Sequence, residues 1–390
     1  MKKKILIYDD EEAFQDNLKN RLSFLDTTVF DIITPSEGDF LEWMKVLDSR
    51  RRAFRESGTW EGESILLDEA SILVVDYDLF DAISFLTGED VAYLARCFSK
   101  CGLIVGVNQY GHNPFDLTLK GHPESYADLN VGQEQLGNPN LWGEDVDGFH
   151  PWSWPVLPNY LDAFEKKIED VEESLRDDVP ICAVIGFPTN VFDLLPRSIG
   201  QFIGEKPSRT GFREFVVKFG NGLRLKDAQV KRVSDAVVAR VGAARISKWL
   251  ERLVLPGQDI LVDAPHLVSR YPSLLGEDVE DIETWNGTAR LTSYRELGLT
   301  TEIIERFRLK KDYWLSRPVW FWDELRECEE IKEVKEPWTI ERPGWVFCED
   351  ASRFYEKYTE FVADVESPFV RRFLSRFEGV DYQPAYRFSL

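Results

Sequence analysis

Two short apolar runs in this chain each stop at a carboxylate. Ile5-Leu6-Ile7-Tyr8 ends at the pair Asp9 and Asp10, and Ile72-Leu73-Val74-Val75 ends at Asp76. An unbroken apolar run of this length suits a strand buried on both faces, as in a parallel sheet. A strand that stops at an acid places that acid at the C-terminal edge of its sheet, where open α/β folds build their sites. With the two strands side by side, the acids would face one another and suit a divalent cation. This pattern constrains the first third of the chain strongly and the remainder hardly at all.

The segments around these runs extend the pattern. A helix is predicted over residues 12–25 from the spacing of Ala13, Phe14, Leu18, Leu22 and Leu25, then a strand over 29–33, a helix over 40–54 and a polar loop over 55–63. After the strand at 72–75 come a helix over 88–100 and a strand over 103–107. The alternation β-α-β-α-β-α-β predicts an α/β fold with a doubly wound parallel sheet. Residues 111–158, rich in Gly, Pro, Asn and aromatics, read as an extended loop whose Trp152-Ser153-Trp154 either binds through its rings or seals a seam. Leu161, Phe164, Ile168, Val171 and Leu175 mark an acidic amphipathic helix over 159–176, and Asp177-Asp178-Val179-Pro180 makes a boundary.

At 390 residues the chain exceeds what one core usually supports, so two domains are expected. The first spans 1–178, with its core in 1–110; the second, 179–390, is a larger α+β domain rich in helices. In the second, strands are predicted at 181–185 and 260–262, a basic helix at 225–253, and helices at 302–314, 320–330, 351–365 and 368–377. Glu349 and Asp350 would cap the helix starting near Ala351.

Composition narrows the classes of function. An apolar content of 43%, with 12 Trp, 26 Phe and 13 Tyr, argues against disorder. Only four apolar residues follow Lys2-Lys3-Lys4 before Asp9, too few for the core of a signal peptide, and no run approaches the roughly 18 residues of a membrane span. The cysteines (Cys97, Cys101, Cys182, Cys328, Cys348) form no CxxC pair and have no neighbouring histidines, so a cytoplasmic protein without zinc or disulfides is expected, with Cys182 as inert core.

A net charge of −22 disfavours nucleic acid and anionic membranes as partners. Residues 206–252 nevertheless carry twelve basic against four acidic side chains. That segment reads either as a solvated face pairing with the acidic remainder or as a docking surface. Within it, Val233–Leu253 suits either a helix-turn-helix DNA reader, with the turn at Gly242 and a basic helix over 224–253, or one long amphipathic helix with a glycine defect.

Lys4-Ile5-Leu6-Ile7-Tyr8-Asp9-Asp10-Glu11 with the helix after it, and Ile72-Leu73-Val74-Val75-Asp76-Tyr77-Asp78-Leu79, resemble the receiver domain of two-component response regulators, a flavodoxin-like fold. The resemblance covers about the first 110 residues. It implies that Asp10 and Asp76 bind Mg²⁺, with Asp9 as the outer acid and the Asp78 backbone carbonyl as a further ligand, and that Asp76 accepts a phosphoryl group. Carboxylate oxygens suit Mg²⁺, and a carboxylate attacks phosphorus once a cation neutralises local charge.

Some positions depart from that family. Asn108 stands where it places Ser or Thr after the fourth strand, and Lys120 is the candidate for its lysine after the fifth. A fifth strand over 126–131 would leave no such lysine, and an insertion is expected around 50–62. Two outcomes follow. Either phosphorylated Asp76 shifts a two-state surface that gates the rest of the chain, or a degenerate receiver serves as a protein-binding module. The expected partner is a histidine kinase or a complex subunit, and self-association is left open.

Other readings remain at this stage. Asp76-Tyr77-Asp78 also resembles the paired carboxylates of a metal-dependent phosphoesterase or nuclease. His266, in Asp263-Ala264-Pro265-His266, is either catalytic with Asp263 or a structural loop histidine; no Ser or Cys is marked as a nucleophile. The expectation is a signalling or adaptor protein with no enzymatic activity beyond phosphoryl acceptance, the alternatives being DNA-binding control and an unrecognised enzymatic output from 179–390.

Overall fold

The computed structural model describes residues 2–60, 62–79, 86–108, 125–143, 146–219, 233–289, 302–329, 344–356, 361, 363–366 and 371–374. The apolar runs become the middle of a five-stranded, all-parallel sheet. Its strands are β1 (Lys3–Tyr8), β2 (Phe30–Ile33), β3 (Ala70–Asp76), β4 (Leu103–Asn108) and β5 (Leu129–Gly132), in the order β2-β1-β3-β4-β5. Ile5 to Ile7, Ile72 to Val75 and Leu103 to Val105 are all fully buried. Both faces of β1, β3 and β4 are therefore covered, which is why these strands read as continuous rather than alternating apolar sequence. The short β2 and β5 form the edges.

Helices α1 (Glu12–Arg21), α2 (Glu37–Ser57) and α3 (Gly88–Phe98) connect the first four strands. Local chemistry sets their ends. Ser36 with Asp39 and Thr87 with Asp90 form reciprocal capping boxes at the starts of α2 and α3. Gly58, at φ 81°, ends α2 in the left-handed region that glycine enters without a Cβ penalty. Two buried arginines tie this layer together: Arg50 pairs with Asp68, and Arg96 with Asp128.

Beyond the sheet, α4 (Leu157–Asp177) turns Leu157, Tyr160, Leu161, Phe164 and Val171 inward, and Lys3 at the start of β1 pairs with Asp162 on it. Helix α5 (Asp235–Trp249) packs along α4 and reaches α3. The C-terminal part adds the antiparallel pair β6 (Leu261–Asp263) and β7 (Val319–Phe321), with α6 (Ala264–Arg270) directly after β6. A four-stranded sheet is built from β8 (Trp345–Cys348), β9 (Arg353–Glu356), β10 (Ala363–Glu366) and β11 (Arg371–Leu374). The buried apolar side chains form one cluster from Ile5 to Phe354.

Several sequence expectations fail in this second part. The apolar stretch 181–185 is no strand but a helical turn, Ile181–Val184, entered from Pro180, a residue preset for the first turn of a helix. Residues 302–314 hold a short helix, Glu302–Arg306, and a separate turn at Asp312–Trp314, whereas 320–330 begin in β7 and continue as a helix over Trp322–Glu327. Where residues within 351–365 and 368–377 are described, the expected helices give way to β9, β10 and β11. Glu349 and Asp350 accordingly cap no helix; they lie buried in the turn between β8 and β9.

The helix-turn-helix reading also fails. Gly242 lies inside the unbroken α5, and a Cβ there would sit 2.7 Å from the Phe212 ring, so the glycine admits a neighbour rather than making a turn. Residues 220–232, which include part of the predicted basic helix, lie outside the described residues.

Candidate functional site

β1 and β3 are neighbours, with Tyr8 in register with Val75, so the acids that follow them emerge side by side. The carboxylates of Asp9, Asp10 and Asp76 each offer an oxygen within 4.8 Å of the others. Asp9 and Asp76 are both 6% exposed, and Asp10 is half-buried. The backbone fixes this arrangement. Asp9 Oδ1 accepts the Glu11 N–H at 2.9 Å, the Gln15 side chain donates to the Asp9 carbonyl at 3.1 Å, and Asp76 Oδ2 accepts the Asp78 N–H at 2.9 Å. Asp78 itself is exposed and bridges to Thr87 across the loop.

Three acids at this separation, two of them buried, cannot all stay charged cheaply. Burial raises the Asp76 carboxyl from its ordinary 3.8 to about 7, Asp9 adding to the rise against the opposing Asp78 and Tyr77 N–H groups. Burial likewise lifts Asp9 to about 6, partly offset by the Glu11 N–H and reinforced by Asp10. Tyr8, stacked on Phe40 with ring centroids 3.4 Å apart, is pushed to about 12 by burial and by the charges of Glu37, Asp10 and Asp9. Near neutral pH the cluster thus holds protons that a cation would displace. An all-oxygen donor set of carboxylates fits a hard divalent cation such as Mg²⁺, and in that role Asp9, Asp10 and Asp76 are the residues to hold it.

The other positions singled out by the receiver resemblance depart from that family's pattern. Asn108 ends β4, one strand from Asp76, and is buried. Lys120 lies outside the described residues, but β5 begins only at Leu129, so Lys120 precedes that strand instead of following it. Gln133-Glu134-Gln135-Leu136 follow β5, with no lysine among them.

Sequence reasoning missed Gly88 and Glu89. Gly88, at the start of α3, lies so close to the end of β3 that a Cβ on it would sit 2.2 Å from the Asp76 carbonyl oxygen. Its signal was present in Thr87-Gly88-Glu89-Asp90, a capping box whose first helical residue is a glycine.

His266 and Asp263 do come together, in the second part of the chain. Asp263 ends β6, caps α6 through the His266 N–H, and meets His266 Nδ1 at 2.5 Å. On its other side the ring faces Glu349 Oε1 at 3.8 Å. Burial would raise Asp263, but the facing His266, with Arg317 and the Trp152 N–H, holds it down at about 2. Trp152 and Trp154 are buried, and the Trp152 and His150 N–H groups donate to the Glu349 and Asp350 carbonyls. Trp152 and Trp154 also line a cavity with His150 and Arg317, and the Asp-His pair beside it is a buried clamp between α6 and the β8–β9 turn.

Of the basic side chains described in 206–252, Lys206, Arg209 and Lys218 are exposed, whereas others are taken up inside the protein. Arg213 pairs with Asp235, Arg240 donates to the Ser99 carbonyl at 2.5 Å, and Arg245 and Lys248 are 2% and 3% exposed. No described helix is long and apolar enough to cross a membrane. No family model, curated protein or solved structure matches the chain.

Proposed function

We propose that this chain is a receiver-like regulatory protein in which a cation-binding acid cluster on the N-terminal sheet controls the association or output of residues 179–390. The observation that carries the reading is the convergence of Asp9, Asp10 and Asp76 from two adjacent central strands. The doubly wound order 2-1-3-4-5 supports it, because that topology places its sites at the carboxyl ends of these strands. In this reading Asp9, Asp10 and Asp76 hold Mg²⁺, which would supply charge neutralisation for an incoming phosphate. Asp76 is the phosphoryl acceptor: its carboxylate oxygen forms the new bond to phosphorus as the donor's leaving group departs.

A second reading is favoured by Asn108 and by the lysine-free segment after β5. In it the cluster binds a cation but is not phosphorylated, and the sheet serves as a protein-binding module. One experiment separates the two. The protein is incubated with Mg²⁺ and acetyl phosphate, and intact mass is read for the wild type and for Asp76→Asn. An acid-labile adduct of one phosphoryl group on the wild type alone supports the acceptor. Its absence, with Mg²⁺ binding retained in calorimetry, leaves the module.

A further inference from the structure

An unbroken line of close contacts joins the acid cluster to α5. It starts in the backbone, where the Gly88 N–H donates to the Tyr77 carbonyl at 2.8 Å and the missing Gly88 side chain leaves no slack against Asp76. The next residue, Glu89, sits in the first turn of α3. Its carboxylate accepts the Tyr126 N–H at 2.5 Å and the Ser125 hydroxyl at 2.7 Å. From the far side, the Lys248 ammonium of α5 donates to the Ser125 and Ala127 carbonyls at 3.2 and 2.6 Å, and Arg245 donates to the Ser125 carbonyl at 3.3 Å. The Arg245 guanidinium also lies 4.6 Å over the Tyr126 ring. Residues 125–127 are thus gripped by a carboxylate from the sheet layer and by two buried basic side chains from the C-terminal part.

Close packing makes this line stiff. A displacement at Asp76 cannot be absorbed at Gly88, where backbone meets backbone, and so it moves the start of α3 and Glu89 with it. Lys248 donates to two carbonyls, whose placement depends on the segment that Glu89 holds. The family's usual route, a hydroxyl after the fourth strand, has Asn108 in its place.

We infer that occupancy of the acid cluster is relayed to α5 through Glu89 and residues 125–127 onto Lys248 and Arg245, which makes Glu89 a positioning residue for regulation. The inference rests on the cation-binding reading of the cluster.

The test is hydrogen exchange read by mass spectrometry on the full chain, with and without saturating Mg²⁺, over residues 125–131 and 235–249. Mg²⁺ binding is measured separately by calorimetry. In the wild type, Mg²⁺ is expected to change exchange in α5 by about tenfold, the size of a typical inter-site coupling. In Glu89→Ala that response is lost while Mg²⁺ still binds; Ser125→Ala, a milder change, gives the same readout if Glu89→Ala does not fold. Mg²⁺ binding with no response in wild-type α5, or with a full response in the variants, overturns the relay alone. Failure of Mg²⁺ to bind the wild type overturns the cluster reading and the relay together.

Discussion

Asp76→Asn is expected to stabilise the cation-free protein at pH 8 and to leave its stability nearly unchanged at pH 4. The Asp76 carboxyl titrates near 7 in the folded chain because it is buried beside Asp9, against an ordinary value of 3.8 when the chain unfolds. A carboxyl raised in this way favours the folded state while protonated. Its contribution is therefore fully present below about pH 4 and is lost as pH rises through 7. At about 1.4 kcal/mol per pH unit, the difference between 3.8 and about 7 amounts to about 4 kcal/mol of destabilisation at pH 8. The amide is neutral at every pH and its oxygen still accepts the Asp78 N–H, so the variant escapes most of that loss. Urea unfolding followed by tryptophan fluorescence in EDTA, at pH 4, 6 and 8, measures the effect. Adding Mg²⁺ should narrow the gap by stabilising the wild type through mass action. No gain at pH 8, or an equal gain at pH 4 and pH 8, refutes the reasoning.

Gly88→Ala forces a Cβ to 2.2 Å from the Asp76 carbonyl, where backbone cannot yield, and should cost about 1–3 kcal/mol or more together with a loss of Mg²⁺ affinity in calorimetry. Asp263→Asn leaves His266 and Glu349 buried without the carboxylate between α6 and β6, and should cost about 3–5 kcal/mol in urea melts at pH 7. Because Asp263 is held at about 2, its stabilisation is present above pH 3.8 and disappears as pH falls through 2, so acid titration of the wild type should show a loss in that window that the variant lacks. Asp170 accepts Lys311 and Trp314 at 3.1 Å each, and Tyr313 as well, through one oxygen. Asp170→Ala should therefore weaken the hold of α4 on residues 311–314 by about 1–3 kcal/mol, seen as local loss of exchange protection.

The central strands and their acids follow from local sequence alone. β1, β3 and β4 are legible because a strand buried on both faces has no polar alternation to confuse, and Asp9, Asp10 and Asp76 because a residue just past such a strand must lie at the sheet edge. Helix α3 is legible from Val91, Leu94, Ala95 and Phe98 at helical spacing, while the caps Ser36-Asp39 and Thr87-Asp90 set where α2 and α3 start. Elsewhere local pattern misled. Residues 351–377 carry aromatics at spacings that suit helix or strand, and pairing among β8, β9, β10 and β11 decided for strand. Ile181–Val184 is apolar through burial, not through a strand period. The fate of the basic segment belonged to tertiary structure as well: Arg245 and Lys248 read as a charged surface, yet they are buried against carbonyls more than a hundred residues away in sequence. Likewise only the fold, by starting β5 at Leu129, decided that Lys120 precedes the fifth strand. Side-chain periodicity reports which residues avoid water; which distant groups meet them depends on strand pairing and packing, whose contacts are set across the whole chain.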